Sequence, residues 1–126
     1  MGEPREPMNH LVRLCHASEL FEGAARGFDP AARGRDTLFV VRRNGLHAYR
    51  NACPHWADTS MAWRKDAFLN ADASRIVCAA HGAQFEIETG MCVLGPCLGQ
   101  ALTRVALMES ADGWLTVDPA ALEESQ

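Results

Sequence analysis

Cys53-Pro54-His55 and Cys78-Ala79-Ala80-His81 each place one thiol and one imidazole within a single tight stretch of chain, with 22 residues between His55 and Cys78. Three chemistries use such groups. Two thiolates can hold one iron while two imidazoles hold a second, with two sulfides bridging them; each loop then gives a ligand to each iron, and the cluster staples the loops together. A zinc ion can also take two thiolates and two imidazoles, although zinc fingers usually put two residues between paired cysteines and three to five between paired histidines. A histidine-activated cysteine can act as a nucleophile, which leaves the second pair unexplained. The spacing favours the first.

These pairs need rigid supports, and the flanking sequence supplies the pattern of an all-β domain. Short apolar runs recur between Gly, Pro, Asn and Asp, and helical periodicity is weak nearly everywhere. Residues 11–15 read as a strand, 17–20 as one helical turn, and 23–36, rich in Gly, Ala and Arg, as a loop. Residues 37–41 (Thr-Leu-Phe-Val-Val) form a strand by their β-branched and aromatic content. Asn44-Gly45 tolerates positive φ and predicts a hairpin turn into residues 46–50, so that a hairpin delivers Cys53 into its loop. Residues 75–77 lead into Cys78, 84–87 return, and 103–108 pair with 114–117 across Ser-Ala-Asp-Gly. Pro54 stiffens the first loop, and Gly82 permits a positive φ or a close backbone approach beside the second.

Length and composition bound the remaining choices. The 126 residues suit one domain, 1–126, with a site-bearing part at about 52–98. Apolar residues at 48% and charged residues at 22% are ordinary for a globular protein. A net charge of −4 argues against a nucleic-acid surface. No apolar run reaches the roughly 18 residues that span a bilayer, and the N-terminus lacks a signal-peptide core; the expected compartment is the cytoplasm. There Cys92 and Cys97 read as packed thiols rather than a disulfide, and Cys15 as a small core residue. His10, His16 and His47 lack ligand partners and read as surface or satisfied histidines. Trp56 divides evenly between shielding the site and packing, while Trp63 and Trp114 read as core. Asp58, Asp66, Glu86 and Glu88 are ordinary solvated charges before they are a docking patch.

The run C-x-H, then C-x-x-H-G-A-x-F, then Thr89-Gly90 and Gly95-Pro96-Cys97 resembles the Rieske ferredoxins and the Rieske domains of ring-hydroxylating oxygenases, over roughly residues 37–117. The resemblance implies stacked antiparallel β-sheets with a cluster-binding subdomain of two ligand loops. It implies one [2Fe–2S] cluster, with Cys53 and Cys78 on the buried iron and His55 and His81 on the exposed one, and a proline loop covering the cluster from a third side. It further implies a one-electron carrier, not itself an enzyme, between a flavin-dependent reductase and a terminal oxygenase or similar redox enzyme. A terminal oxygenase subunit would need a second iron-binding domain, for which 126 residues leave no room. The alternatives are a relay or sensor subunit of a larger redox complex, or a zinc-stabilised binding module.

Two departures bear on the potential. Relatives of the cytochrome bc type carry an extra cysteine in each loop, joined as a disulfide, where this chain has Asp58 and Ala80. They also place Ser and Tyr hydroxyls near the cluster sulfurs, where this chain has Ala83 and Phe85. Fewer donors stabilise the more negative reduced cluster less, which predicts a potential in the lower half of a range of roughly −150 to +300 mV. A redox titration tests this, and a midpoint well above about +100 mV would contradict it. Carried to alkaline pH, the midpoint should fall: ferric iron lowers the pKa of an exposed imidazole ligand, so deprotonation favours the oxidised state.

Overall fold

The structure, a computed structural model, describes residues 11–54, 61–62, 65–79, 82–118 and 120. His55 and His81 of the motif, and His10, Trp56, Asp58, Trp63 and Ala80, lie outside the described residues. Within them the chain forms β1 (Val12–His16), a 3-10 turn (Ala17–Glu19), β2 (Ala24–Phe28), β3 (Leu38–Arg42), β4 (Leu46–Arg50), β5 (Arg75–Cys78), β6 (Ala83–Glu86), β7 (Cys92–Leu94), β8 (Met108–Glu109) and β9 (Trp114–Val117). Three antiparallel sheets result, in the orders β1-β9-β8, β2-β3-β4 and β5-β6-β7. This is the all-β architecture expected.

The period-2 alternation of β3 explains how the sheets share their cores. Leu38 and Val40 turn to one face, Phe39 and Val41 to the other, and all four are buried. The first face joins Ala48 of β4, Cys15 of β1 and Leu115 and Val117 of β9 in one apolar cluster. The second joins Tyr49 of β4 with Ile76, Cys78, Phe85 and Cys92 of the β5-β6-β7 sheet in another. The β2-β3-β4 sheet therefore presents a core on each face, and one of them holds the motif cysteines.

The Asn44-Gly45 turn forms as expected, with φ of 53° and 118°, and returns the chain in the register Val41↔His47. The Ser-Ala-Asp-Gly turn also forms, closed by Gly113 N–H donating to the Ser110 carbonyl at 3.0 Å. Elsewhere the expectation needs correction. Residues 24–28 are a strand, not loop: Ala-Ala-Arg-Gly-Phe has little intrinsic β preference, but it saturates the open edge of β3 from Ala24↔Arg42 to Phe28↔Leu38. The strand expected at 103–108 shrinks to Met108–Glu109. Its earlier part instead runs beside β4, where Arg50 N–H donates to the Thr103 carbonyl and Val105 N–H to that of Ala48, both at 2.9 Å.

The spacer between the motifs also joins the core. Phe68 is buried and stacks on Phe39 with ring centroids 4.2 Å apart and planes 9° off parallel, and Met61 is fully buried beside it in the same cluster. Such a pair is worth about 0.5–1.5 kcal/mol beyond the area it buries. Leu69 bridges to Ile76, which adds a partial strand outside β5. The described part of the spacer thus packs into the core. No helix among the described residues is long and apolar enough to cross a membrane.

Candidate metal centre

Cys53 follows directly on the β3–β4 hairpin and is fully buried. The residue that shapes its loop is Asn51, buried at 5% exposure. Its backbone N–H donates to the Thr37 carbonyl and its Nδ2 to the Asp36 carbonyl, both at 2.9 Å, while its Oδ1 accepts the Met61 N–H at 2.9 Å. One side chain therefore holds both ends of the segment between Asn51 and Met61.

Cys78 ends β5 and is also fully buried, in the same apolar cluster as Cys53. The chain turns back at once: Gly82 N–H donates to the Cys78 carbonyl at 2.7 Å, and Gly82 takes the positive φ, 73°, that its position in the motif suggested. Ala79 N–H donates to the Met61 carbonyl at 2.8 Å. Asn51, Met61 and Ala79 thus form a chain of hydrogen bonds from one cysteine loop to the other, independent of any bound group. Sequence reasoning missed this role of Asn51. The available signal was a polar residue with turn propensity between a confident strand and the first ligand motif.

The third wall is the Gly95-Pro96-Cys97 loop after β7. Cys97 is fully buried, Cys92 is 2% exposed, and their sulfurs are 3.2 Å apart with both thiols free. Burial pushes the Cys97 thiol up to about 12, and hydrogen bonding and charge from Cys92 and then Cys53 add to the rise. Cys97 and Cys92 thus form a buried thiol pair beneath the loop, with the Cys97 S–H donating to Cys92 Sγ. On either side of the loop Leu94 is 54% and Leu98 65% exposed, so an apolar shoulder surrounds it.

The donor chemistry fits an iron–sulfur cluster. Two cysteines from separate hairpins, buried in one core and walled by a proline loop, suit thiolates bound to the inner iron. Among the described residues no group of three or more His, Cys, Asp or Glu is placed to hold a metal, so a site completed by other described residues finds no support. Of the acidic residues, Asp66 is spent locally: it accepts from Lys65 Nζ at 2.7 Å and from Gly27 N–H at 2.8 Å. Glu86 accepts the Thr89 hydroxyl at 2.7 Å, and both Glu86 and Glu88 are exposed. Cys15 is a core residue as expected.

His16 is satisfied: Nδ1 accepts the Ser18 N–H and Nε2 lies 2.8 Å from the Asp112 carbonyl. His47 is satisfied on one side only: Nε2 lies 3.3 Å from the Arg43 carbonyl, while its buried Nδ1 has no hydrogen-bond partner among the described residues. Trp114 is half-buried rather than core, with the Arg13 guanidinium 4.8 Å over its ring.

Comparison with known proteins agrees with this geometry. No curated protein matches the chain. Among solved structures, it resembles a chain of the complex of reduced oxygenase and oxidized ferredoxin in carbazole 1,9a-dioxygenase, with a TM-score of 0.65 at 23% identity over 93% of this chain and 98% of that one. The ferredoxin of carbazole 1,9a-dioxygenase from Nocardioides aromaticivorans IC177 gives 0.62 at 24% identity, over 85% of this chain and 96% of that one. The Sphingomonas yanoikuyae B1 ferredoxin gives 0.61 at 22%, over 85% and 96%. At these identities the likeness is one of fold. The family model for the Rieske [2Fe-2S] domain matches residues 10–111. That match runs through all three sheets and both cysteine loops, so the chain belongs to the Rieske [2Fe-2S] domain family and its cofactor is one [2Fe–2S] cluster.

Proposed function

We propose that this protein is a Rieske ferredoxin that carries single electrons from a flavin-dependent reductase to a terminal oxygenase or similar redox enzyme. The observation that carries this reading is the convergence of Cys53 and Cys78, from two different hairpins, in one buried cluster beneath the Gly95-Pro96-Cys97 loop. Cys53 and Cys78 would hold the inner iron as thiolates, and His55 and His81, from the same two loops, the outer one. When bound, the cluster supplies a reversible one-electron couple. The protein's contribution is to fix the loops through Asn51, Met61 and Ala79, to keep water from the cysteines, and to frame the site with Leu94 and Leu98. That exposed apolar frame, with Glu86 and Glu88 exposed nearby on the β6–β7 hairpin, suits brief docking on a partner. The oxygenase–ferredoxin complex among the fold neighbours supports an oxygenase as the acceptor.

The test is EPR of the dithionite-reduced protein with iron and sulfide counted on the same sample. Two irons and two sulfides per chain, with a rhombic signal of average g below that of all-cysteine clusters, are expected. One zinc with no sulfide and no signal would overturn the carrier reading.

A further inference from the structure

We propose that Cys92 and Cys97 are a reversible dithiol–disulfide pair whose bond, once formed, locks the Gly95-Pro96-Cys97 loop in place. This chemistry uses neither the proposed cluster ligands nor the proposed electron transfer. The two sulfurs already lie 3.2 Å apart, with the Cys97 S–H donating to Cys92 Sγ. Cys97 is also the one buried residue between Leu94 and Gln100, and the residues on either side of it in that stretch are all exposed. The loop therefore hangs on a single thiol contact, which is where a covalent bond changes most.

The backbone holds the two sulfurs facing each other. Pairing with Phe85 fixes Cys92 in β7, and its N–H donates to the Gln100 carbonyl at 2.8 Å. Gln100 N–H in turn donates to the Cys97 carbonyl, also at 2.8 Å, and Met91 bridges to Ala101. Gly95, at φ 111°, lies directly on the first residue of β6, where a Cβ would meet Ala83 Cα at 2.8 Å. Cys15 sits in the other apolar cluster and does not compete. While buried, the pair is protected, because a thiol reacts as its thiolate and burial disfavours that form. A loop with so few buried contacts opens at low cost, and opening exposes Cys97 while Cys92 stays in β7. The oxidant is a low-molecular-weight disulfide such as oxidised glutathione. The Cys97 thiolate attacks one of its sulfurs, the small molecule's S–S bond breaks, and one small thiol leaves. Cys92 Sγ then attacks the Cys97 sulfur, which forms the Cys92–Cys97 bond and releases the second small thiol. Two electrons and two protons pass from the pair to the small disulfide.

The experiment incubates the purified holoprotein with oxidised glutathione, in buffer and in urea just below its unfolding transition. Intact mass, peptide mapping after alkylation, and iron released to a chelator are measured before and after. The parent should become two mass units lighter, with Cys92 joined to Cys97, and a dithiol reductant should reverse the change. The cross-link should exceed the mixed disulfide about tenfold, because the second thiol attacks from within the chain. Iron release should slow about tenfold in the cross-linked protein, a modest effect for a disulfide because the ring it closes is short. C92A should stop at one glutathione on Cys97, and its iron release should not slow. A parent that keeps its reduced mass in both solutions, or stops at the mixed disulfide, overturns the proposal. So does a cross-link that joins Cys97 to Cys15, Cys53 or Cys78. A cross-linked parent that releases iron as fast as the reduced one overturns the locking role. A parent without a [2Fe–2S] signal would instead defeat the proposed function, and the mass and peptide map would still decide the pairing.

Discussion

Asn51→Ala should lower the unfolding free energy by about 2–4 kcal/mol and leave a protein that loses iron readily. Among the described residues the side chain donates to the Asp36 carbonyl and accepts from the Met61 N–H. Removing it leaves the buried Met61 amide without its partner, and each buried group so orphaned costs about 1–3 kcal/mol. The consequence for the centre follows from connectivity: Met61 carries the link onward to Ala79, next to Cys78. Without Asn51 the two cysteine loops are held together mainly by the cluster, so the cluster must supply the ordering that the protein supplied before. Asn51→Asp keeps the acceptor and loses the donor, and should fall between. Urea unfolding of the holoprotein gives the stability, and iron retained after incubation with a chelator gives the hold on the cluster. Both variants matching the parent in both measurements would show that the loops are set by other contacts.

What could be read from the chain itself was what local chemistry encodes. The Val- and Ile-bearing strands, the Asn44-Gly45 and Ser110–Gly113 turns and the helical turn at Ala17 all follow from neighbours within a few residues, and the structure shows them. The two cysteines were legible because ligand spacing is itself a local pattern, and the structure buries both together. The rest depends on partners far along the chain. β2 exists because β3 offers it an edge, although Ala24-Ala25-Arg26-Gly27 reads as loop. Phe68 enters the core by stacking on Phe39, 29 positions earlier, and nothing around Phe68 announces that. Asn51 looks like a turn residue, yet its partners lie at Asp36 and Met61. The approach of Cys97 to Cys92 is of the same kind: the two are five positions apart, but the Gly95 turn and its close approach to Ala83 bring their sulfurs together.

Gly90→Ala should cost about 2–5 kcal/mol, a large share of the 5–15 kcal/mol typical of a domain. Two penalties combine. Gly90 has φ 75°, where an L-residue carries a cost of about 1–2 kcal/mol. A Cβ there would also lie 2.7 Å from Tyr49 Cε1 and 3.3 Å from Cζ. The ring cannot yield cheaply. It is fully buried, its hydroxyl donates to the Ile87 carbonyl at 2.6 Å and accepts from Arg104 Nη2 at 3.0 Å, and it lies tilted against Phe39 with ring centroids 6.0 Å apart. Forcing such a side chain aside costs a further 1–3 kcal/mol or so. Tyr49 belongs to β4 and Ile87 follows β6, so this pin fastens the middle sheet to the sheet that carries Cys78, and loosening it reaches the centre. Denaturant unfolding of the holoprotein should show a lower midpoint with unchanged slope. In a Tyr49→Phe background the ring has lost its hydroxyl anchor, and the same Gly90→Ala change should cost measurably less, a coupling that a double-mutant cycle reads directly. Equal costs in the two backgrounds would mean that the backbone conformation alone carries the penalty, and that the Tyr49 ring is not what holds Gly90 in place.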